Sequence, residues 1–305
     1  MSEANRTRIA IRPSGSTDNF QVLNRTDDSL SPGSETERSQ SIRADRKRGG
    51  QKVVTQTVGG SLSIEFTADD YDDILAAAMC NTWAEDTPTA GTDQLAVGTA
   101  TTKFDVLKSF LDEDRHVLMK EMEVSQLQLT MNSGERVTGE ITFAGTESDL
   151  EFDPSEETFD EPSNNLFMDS SNNISSLQID GDPVDGMVIT GMTLNINNNH
   201  QSGQGLGTQF QYHDKGSADI TGSMTFRFAS AAYDLWKNTI TNVPVSTSFT
   251  LGDGTTDYTF KAGEQYLSGD LPNGALDSIL SLELDTVVAT DDSNEMLLVE
   301  RSSAA

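Results

Sequence analysis

The chain has 305 residues, 49 of them acidic against 20 basic, for a formal net charge of −29. So anionic a surface repels nucleic acid rather than wrapping it. The single cysteine, Cys80, rules out an intramolecular disulfide or a thiolate metal cluster. Length alone predicts two domains of ordinary size, each able to bury its own core.

The opening MSEANRTRIAIRPSG lacks the apolar segment of a signal peptide. No stretch approaches the roughly 20 apolar residues of a membrane helix, so a soluble protein made and kept inside a cell is expected. Residues 1–50 are polar and weakly periodic, and taken alone read as disordered, with 1–19 as an N-terminal arm. Phe20, Val22 and Leu23 give a short apolar start to a first folded unit over 20–150. Arg43, Arg46, Lys47, Arg48 and Lys52 form the one concentrated basic run. No aromatic residues are interleaved for base stacking. The run reads as a solvated loop, or as an arm that docks on the acidic surface of another copy.

From Val53 to Phe66 the pattern alternates, with Val58, Gly60, Leu62, Ile64 and Phe66 on one face. Thr67 is placed to cap a helix with Asp69 and Asp70 in its first turn. Tyr71, Ile74, Leu75, Ala78 and Met79 then form one apolar stripe, and Cys80 beside it reads as a small buried residue. Two strands are predicted at Thr102–Leu111 and Val117–Asn132. MNSGER turns the second into VTGEITF as a hairpin. Gly139 falls in phase with Gly60 and Gly222, where a missing side chain admits a bulky neighbour.

Residues 151–186 form an acidic, proline-containing linker, and a second unit is expected over 187–305. It opens with GMVITGMTLNIN, then a Gly-, Gln- and Asn-rich stretch over 198–216 holding His200, Gln204, Gln209 and Tyr212. A loop this long inside a compact domain is disordered or functional. A strand follows, then a helix with Tyr233, Trp236 and Ile240 on one face. Strands are predicted at Val245–Leu251, Tyr258–Leu267 and Ile279–Val288, with a short edge strand at Met296–Val299.

The two units repeat one another. GSLSIEFTADDYD at 60–72 returns as GSMTFRFASAAYD at 222–234, pairing Gly60 with Gly222, Phe66 with Phe228 and Tyr71 with Tyr233. Strand, abrupt helix and the same aromatic partner recur together, which predicts two copies of one β-rich unit. In both, a long extension precedes the repeated strand: the basic stretch near 32–50, and 198–216.

Catalytic constellations are missing. His116, His200 and His213 have no helical i, i+4 spacing, and GQGLG at 203–207 is not followed by the Lys-Ser/Thr pair of a phosphate loop. Asp180-Gly181-Asp182 lacks the ligand series of a calcium loop. No enzyme, cofactor or metal is expected.

The run SQSIRADRKRGGQKVVTQTVGGSLSIEFTADDYDDILAAAMCNTW resembles the tail tube (major tail) proteins of long-tailed, non-contractile bacteriophages. The motifs that carry the likeness are Ile42-Arg43-Ala44-Asp45-Arg46, Val58–Phe66, Tyr71–Leu75, Asn81-Thr82-Trp83 and VTGEITFAG at 137–145. It covers about 20–145. The family's glutamate–serine opening is reduced here to Arg12-Pro13-Ser14-Gly15.

The resemblance implies a mainly β fold of two tandem tube-type sandwich or barrel units, each with one flanking helix and a long protruding loop. It implies a structural virion protein, assembled in the host cytoplasm, that stacks in rings as a hollow tube for DNA. The partners implied are copies of itself and other tail proteins, such as tape measure, terminator and distal tail protein. Double-stranded DNA would pass without specific binding, and no membrane is involved. Arg43, Arg46, Lys47, Arg48, His200, Gln204, Gln209 and Tyr212 are the candidates for contacts between subunits. Two units per chain favour three chains in a pseudo-sixfold ring, against a hexamer with a peripheral second unit. A tail terminator, a capsid decoration protein or a carbohydrate-binding module would also be all-β. The last should expose clustered aromatic residues, whereas Trp83 and Trp236 sit beside helical stripes.

Overall fold

The computed structural model describes residues 3–303 except 185, 275, 277, 278, 292 and 294. The front of the chain forms β1 (Thr7–Pro13), β2 (Phe20–Val22), β3 (Asp27–Asp28), β4 (Ser31–Arg38) and β5 (Gln51–Glu65). Helix α1 (Asp72–Ala78) follows, then β6 (Thr92–Ala96), β7 (Phe104–Phe110), β8 (Arg115–Asn132), β9 (Thr138–Gly145) and β10 (Glu147–Asp149). Next come β11 (Phe159–Asp160), β12 (Ile174–Ile179), β13 (Asp182–Pro183) and β14 (Val188–Asn197). A small hairpin of β15 (Gln201–Gln204) and β16 (Gln211–Asp214) leads to β17 (Asp219–Arg227) and α2 (Ser230–Thr241). The chain ends in β18 (Val245–Gly252), β19 (Thr256–Ser268), β20 (Ser281–Ala289) and β21 (Leu297–Ser303).

The polar N-terminus, expected to be disordered, is instead built into the sheet. β1 lies antiparallel to β7, with Ile9 opposite Lys108 and Ile11 opposite Val106, and Ile9, Ala10 and Ile11 are buried. The long strand β8 pairs with β7 through its first half and with β9 through its second. A register shift between Val124 and Gln126 separates β8–β9 pairing on its two sides, and such bulges bend a strand. β9 continues to β5, and β5 to β3 and β4. In the back of the chain β12, β18, β19, β20, β17 and β14 pair in that order, all antiparallel. β14 then takes β8 on its other edge, joining front to back. A second tie runs from β19 through β21 to β6.

One apolar cluster runs from Ile9 to Val299 across both halves, with Tyr258, Phe104, Phe226 and Phe260 among its largest fully buried side chains. Residues 151–186 do not form a bare connection. Phe159 stacks on Phe20 at 5.8 Å, Met168 is buried, and the Ser163 N–H donates to Asp70 Oδ1 at 2.8 Å.

The α1 stripe lies in the core as predicted, Tyr71 through Met79 being buried along it. Its start differs. Asp69 adopts φ +70°, so the helix begins only at Asp72. Thr67 Oγ1 donates to Asp70 Oδ2 at 2.9 Å instead of capping, and Asp72 and Asp73 occupy the first turn. In α2 the face of Tyr233, Trp236 and Ile240 is not the buried one. Ala232 and Leu235 are buried, while Tyr233 and Ile240 face outward and Trp236 lies partly buried, its Nε1 donating to the Gly269 carbonyl at 3.1 Å.

Of the three in-phase glycines, Gly139 behaves as expected, since a Cβ there would fall 2.9 Å from Ile64 Cγ1. Gly60 and Gly222 instead admit the backbone of the neighbouring strand. At Gly60, φ is +137° and a Cβ would lie 2.5 Å from the Ser29 carbonyl oxygen. Gly60→Ala is therefore expected to cost about 3 kcal/mol, from backbone strain plus a clash that backbone cannot relieve. Gly91 has φ +82° with open space around it, so Gly91→Ala should cost only about 1 kcal/mol. Equal urea midpoints for the two variants would refute the packing explanation.

Candidate assembly surfaces

β4 and β5 leave the body as one long hairpin, closed at its neck by Ser39 N–H donating to the Gly50 carbonyl at 3.0 Å. Its tip carries Arg43, Arg46, Lys47 and Arg48, all exposed, around a fully exposed Ile42. Arg43 reaches Asp45 at 3.9 Å and the Lys47 N–H donates to Asp45 Oδ1 at 3.1 Å, so the tip keeps an excess of positive charge. Nothing in the tip belongs to the core.

The 198–216 stretch is a second hairpin, and it lies alongside the first. The Gln56 N–H donates to the Gln209 carbonyl at 2.7 Å. Gln204 accepts from Thr55 Oγ1 at 3.0 Å and donates through Nε2 to the Val54 carbonyl at 2.7 Å. Gln209 Nε2 donates to the Val53 carbonyl at 3.3 Å. The structure thus spends Gln204 and Gln209 on bracing one hairpin against the other. Tyr212 remains exposed, its ring lying across Gly203, where any Cβ would collide with it.

His200 does not reach the surface. Its side chain is 5% exposed, 3.9 Å from Glu123, and its ring stacks on His213 at 6.5 Å. Neither ring nitrogen of His200 has a hydrogen-bond partner among the described residues. Burial, with His213 and Lys215 adding to it, pushes the His200 imidazole below its ordinary value. Burial also pushes the Glu123 carboxyl up. Asn198 Nδ2 donates to the Ala78 carbonyl at 3.1 Å and the Val124 carbonyl at 3.0 Å, and His213 Nε2 approaches the Gly145 carbonyl at 3.0 Å. This is a rigid root for the hairpin.

Sequence reasoning missed the junction between front and back. Tyr258 on β19 donates its hydroxyl to Asp72 Oδ1 at 2.7 Å and accepts from the Asp69 N–H at 2.9 Å. Arg301 on β21 bonds both Asp72 and Asp93, with its guanidinium 4.7 Å above the Trp83 ring. Burial pushes the Asp72 carboxyl above its ordinary value, although the Tyr258 hydrogen bond and Arg301 pull it down. The available signal was the Tyr-Asp pair repeated at 71–72 and 233–234.

No group of three His, Cys, Asp or Glu side chains among the described residues is placed to hold a metal ion. Among the described residues no helix is long and apolar enough to cross a membrane. Cys80 is buried, and burial pushes its thiol up, away from reactivity. What remains is two braced protrusions, unpaired strand edges and an acidic body, a set of surfaces suited to contact with other protein. A family model described as phage tail tube protein matches residues 4–286. No curated protein matches the chain.

Proposed function

This chain belongs to the phage tail tube protein family, and from that premise we propose that it is a doubled tube protein of a long-tailed, non-contractile phage, three copies of which close one ring. It is a structural component of the virion tail and not an enzyme, and it assembles with copies of itself and with other tail proteins. Stacked rings would form the passage for DNA, and a chain of net charge −29 repels phosphates overall.

The observation that carries the doubling is a correspondence of strand register. β5 pairs with β9 with Gly60 opposite Phe143, and β17 pairs with β20 with Gly222 opposite Thr286. β7–β8 shifts register once, between Phe104 and Val106, and β18–β19 shifts once, between Val245 and Thr247. β1 joins β7 as β12 joins β18, and β2 joins β1 as β13 joins β12. β3 and β4 flank β5 as β14 flanks β17. On this reading the front unit covers 20–150 with β1 added, and the back unit covers 187–305 with β12 and β13 of the 151–186 segment added.

The ring follows from edges. Gln126–Asn132 of β8 pairs with Gly191–Asn197 of β14 within the chain. The counterparts, by register, are residues 268–274 and the β3–β4 edge over 27–33. Among the described residues no strand pairs with that edge of β3 or β4, or with 269–274. An unpaired edge is a template for another chain, and a second copy brings the two together. Repeated three times, the contact closes with pseudo-sixfold symmetry. The test is negative-stain microscopy with mass measurement on the purified protein. Six-lobed rings with the mass of three chains are expected, alone or stacked into tubes. Rings of six chains would overturn the trimer, and a monomer at every concentration would overturn the assembly.

A further inference from the structure

We infer that the uncovered face of α2 seats the β7–β8 turn of the next copy, with Asp234 of one chain meeting Arg115 of its neighbour. This rests on the doubled-ring reading and adds to it a specific contact between chains.

The template lies inside the chain. The back unit covers α1. Tyr258 sits on Asp72 and presents its ring edge to Phe66 at 5.7 Å, and Tyr71 is only 3% exposed. The same residues recur around α2, where Phe228, Tyr233 and Asp234 stand for Phe66, Tyr71 and Asp72. Phe228 packs on the core and Tyr233 stacks on Trp236 at 5.5 Å, but among the described residues no tyrosine stands over Asp234 as Tyr258 stands over Asp72. Tyr233 is 39% and Ile240 71% exposed, and the Asp234 side chain, 63% exposed against 15% for Asp72, pairs among the described residues with Lys237 alone.

Register identifies what should come. Leu251 opposite Tyr258 corresponds to Phe110 opposite Arg115, so Arg115 occupies the place of Tyr258. Arg115 is exposed and makes no ion pair among the described residues. Where a tyrosine hydroxyl serves Asp72, a guanidinium would serve Asp234 and lie against the Phe228 ring, a pairing suited to arginine. The turn that carries Arg115 is acidic, with Asp112, Glu113 and Asp114. Its counterpart touches Asp69 through Thr256 at 3.4 Å. At the place of Asp69 stands Ala231, in the first turn of α2, so the like charge that position would bring is gone and the helix end favours the acidic turn. The contact between chains lacks one feature of the internal one. Only Asn242, Val243 and Pro244 separate α2 from β18, leaving no counterpart of β6 for a neighbour's strand to pair with. The seam between chains is therefore the weaker of the two.

Charge exchange tests this. Asp234→Arg and Arg115→Asp, both at exposed sites, should each raise the concentration needed for rings at least tenfold, with far-UV circular dichroism unchanged. The double variant should return to within about threefold of wild type. Full-length protein carrying Arg115→Cys and Asp234→Cys, oxidised with copper–phenanthroline, should give covalent species that stop at three chains. Single variants that assemble like wild type, a double variant no better than the worse single, or intact three-chain rings without cross-links would each overturn the contact while leaving the ring standing. Wild-type protein that forms no three-chain ring would overturn both.

Discussion

Arg301→Met is expected to lower the stability of the unassembled chain by about 3 kcal/mol at pH 7, because removing one partner of a largely buried ion pair strands the other. The stranded group is Asp72, which would keep only the Tyr258 hydroxyl. Burial already holds its carboxyl above the ordinary value with Arg301 in place, and loss of the guanidinium pushes it further. A carboxyl whose folded value is raised adds stability below its unfolded value and loses it as pH rises through the folded one. The deficit of the variant should therefore be largest near neutrality and shrink as pH falls into the ordinary carboxylate range. Urea unfolding at pH 7 and pH 4.5 measures this, and Asp72→Asn in the same background should recover part of the loss at pH 7. A deficit that is the same at both pH values would assign the effect to lost stacking on Trp83 instead.

That junction was hidden in the sequence for a physical reason. Asp72 and Arg301 are 229 residues apart, and neither carries a local signal beyond a helix start and a strand. Local periodicity did reveal the α1 stripe, the β8–β9 hairpin and the repeated strand, because each is decided by neighbours within a few residues. β1 escaped because its burial depends on β7, far along the chain, and its own alternation of arginine with isoleucine is short. The α2 face was misread by copying α1. The positions match, but Tyr71 is 3% exposed, with Tyr258 of β19 bonded to its neighbour Asp72, whereas Tyr233 is 39% exposed. A repeat transmits the fold of a unit and not the surroundings of each copy, and the mismatch between copies is what points to a neighbour. Among the contact candidates, the four basic tip residues and Tyr212 lie on exposed surface. Gln204 and Gln209 are exposed too but bond to Val54 and Val53 of their own chain, and the His200 side chain is buried.

Neutralising the hairpin tip should separate ring closure from ring stacking. In a variant with Arg43, Arg46, Lys47 and Arg48 all changed to Gln, the fold should persist, since the tip adds nothing to the core and lies beyond the last pairing of β4 with β5 at Arg38 and Gln51. Rings should still close, since their proposed seams lie elsewhere. Stacking should fail, with at least a tenfold rise in the concentration needed for tubes, equivalent to about 1.4 kcal/mol per contact. Salt tells this apart from a general charge effect. Bodies of net charge −29 repel one another, and screening that repulsion favours association, whereas screening an attraction between basic tip and acidic body opposes it. Raising salt from about 0.1 M to 1 M, where the screening length falls from roughly 10 to 3 Å, should therefore narrow the gap between variant and wild type from both directions. Sedimentation velocity reads ring and tube populations together. Tubes from the variant at the wild-type concentration in 0.1 M salt would remove the tip from the stacking contact. Loss of rings as well as tubes would place it in the seam.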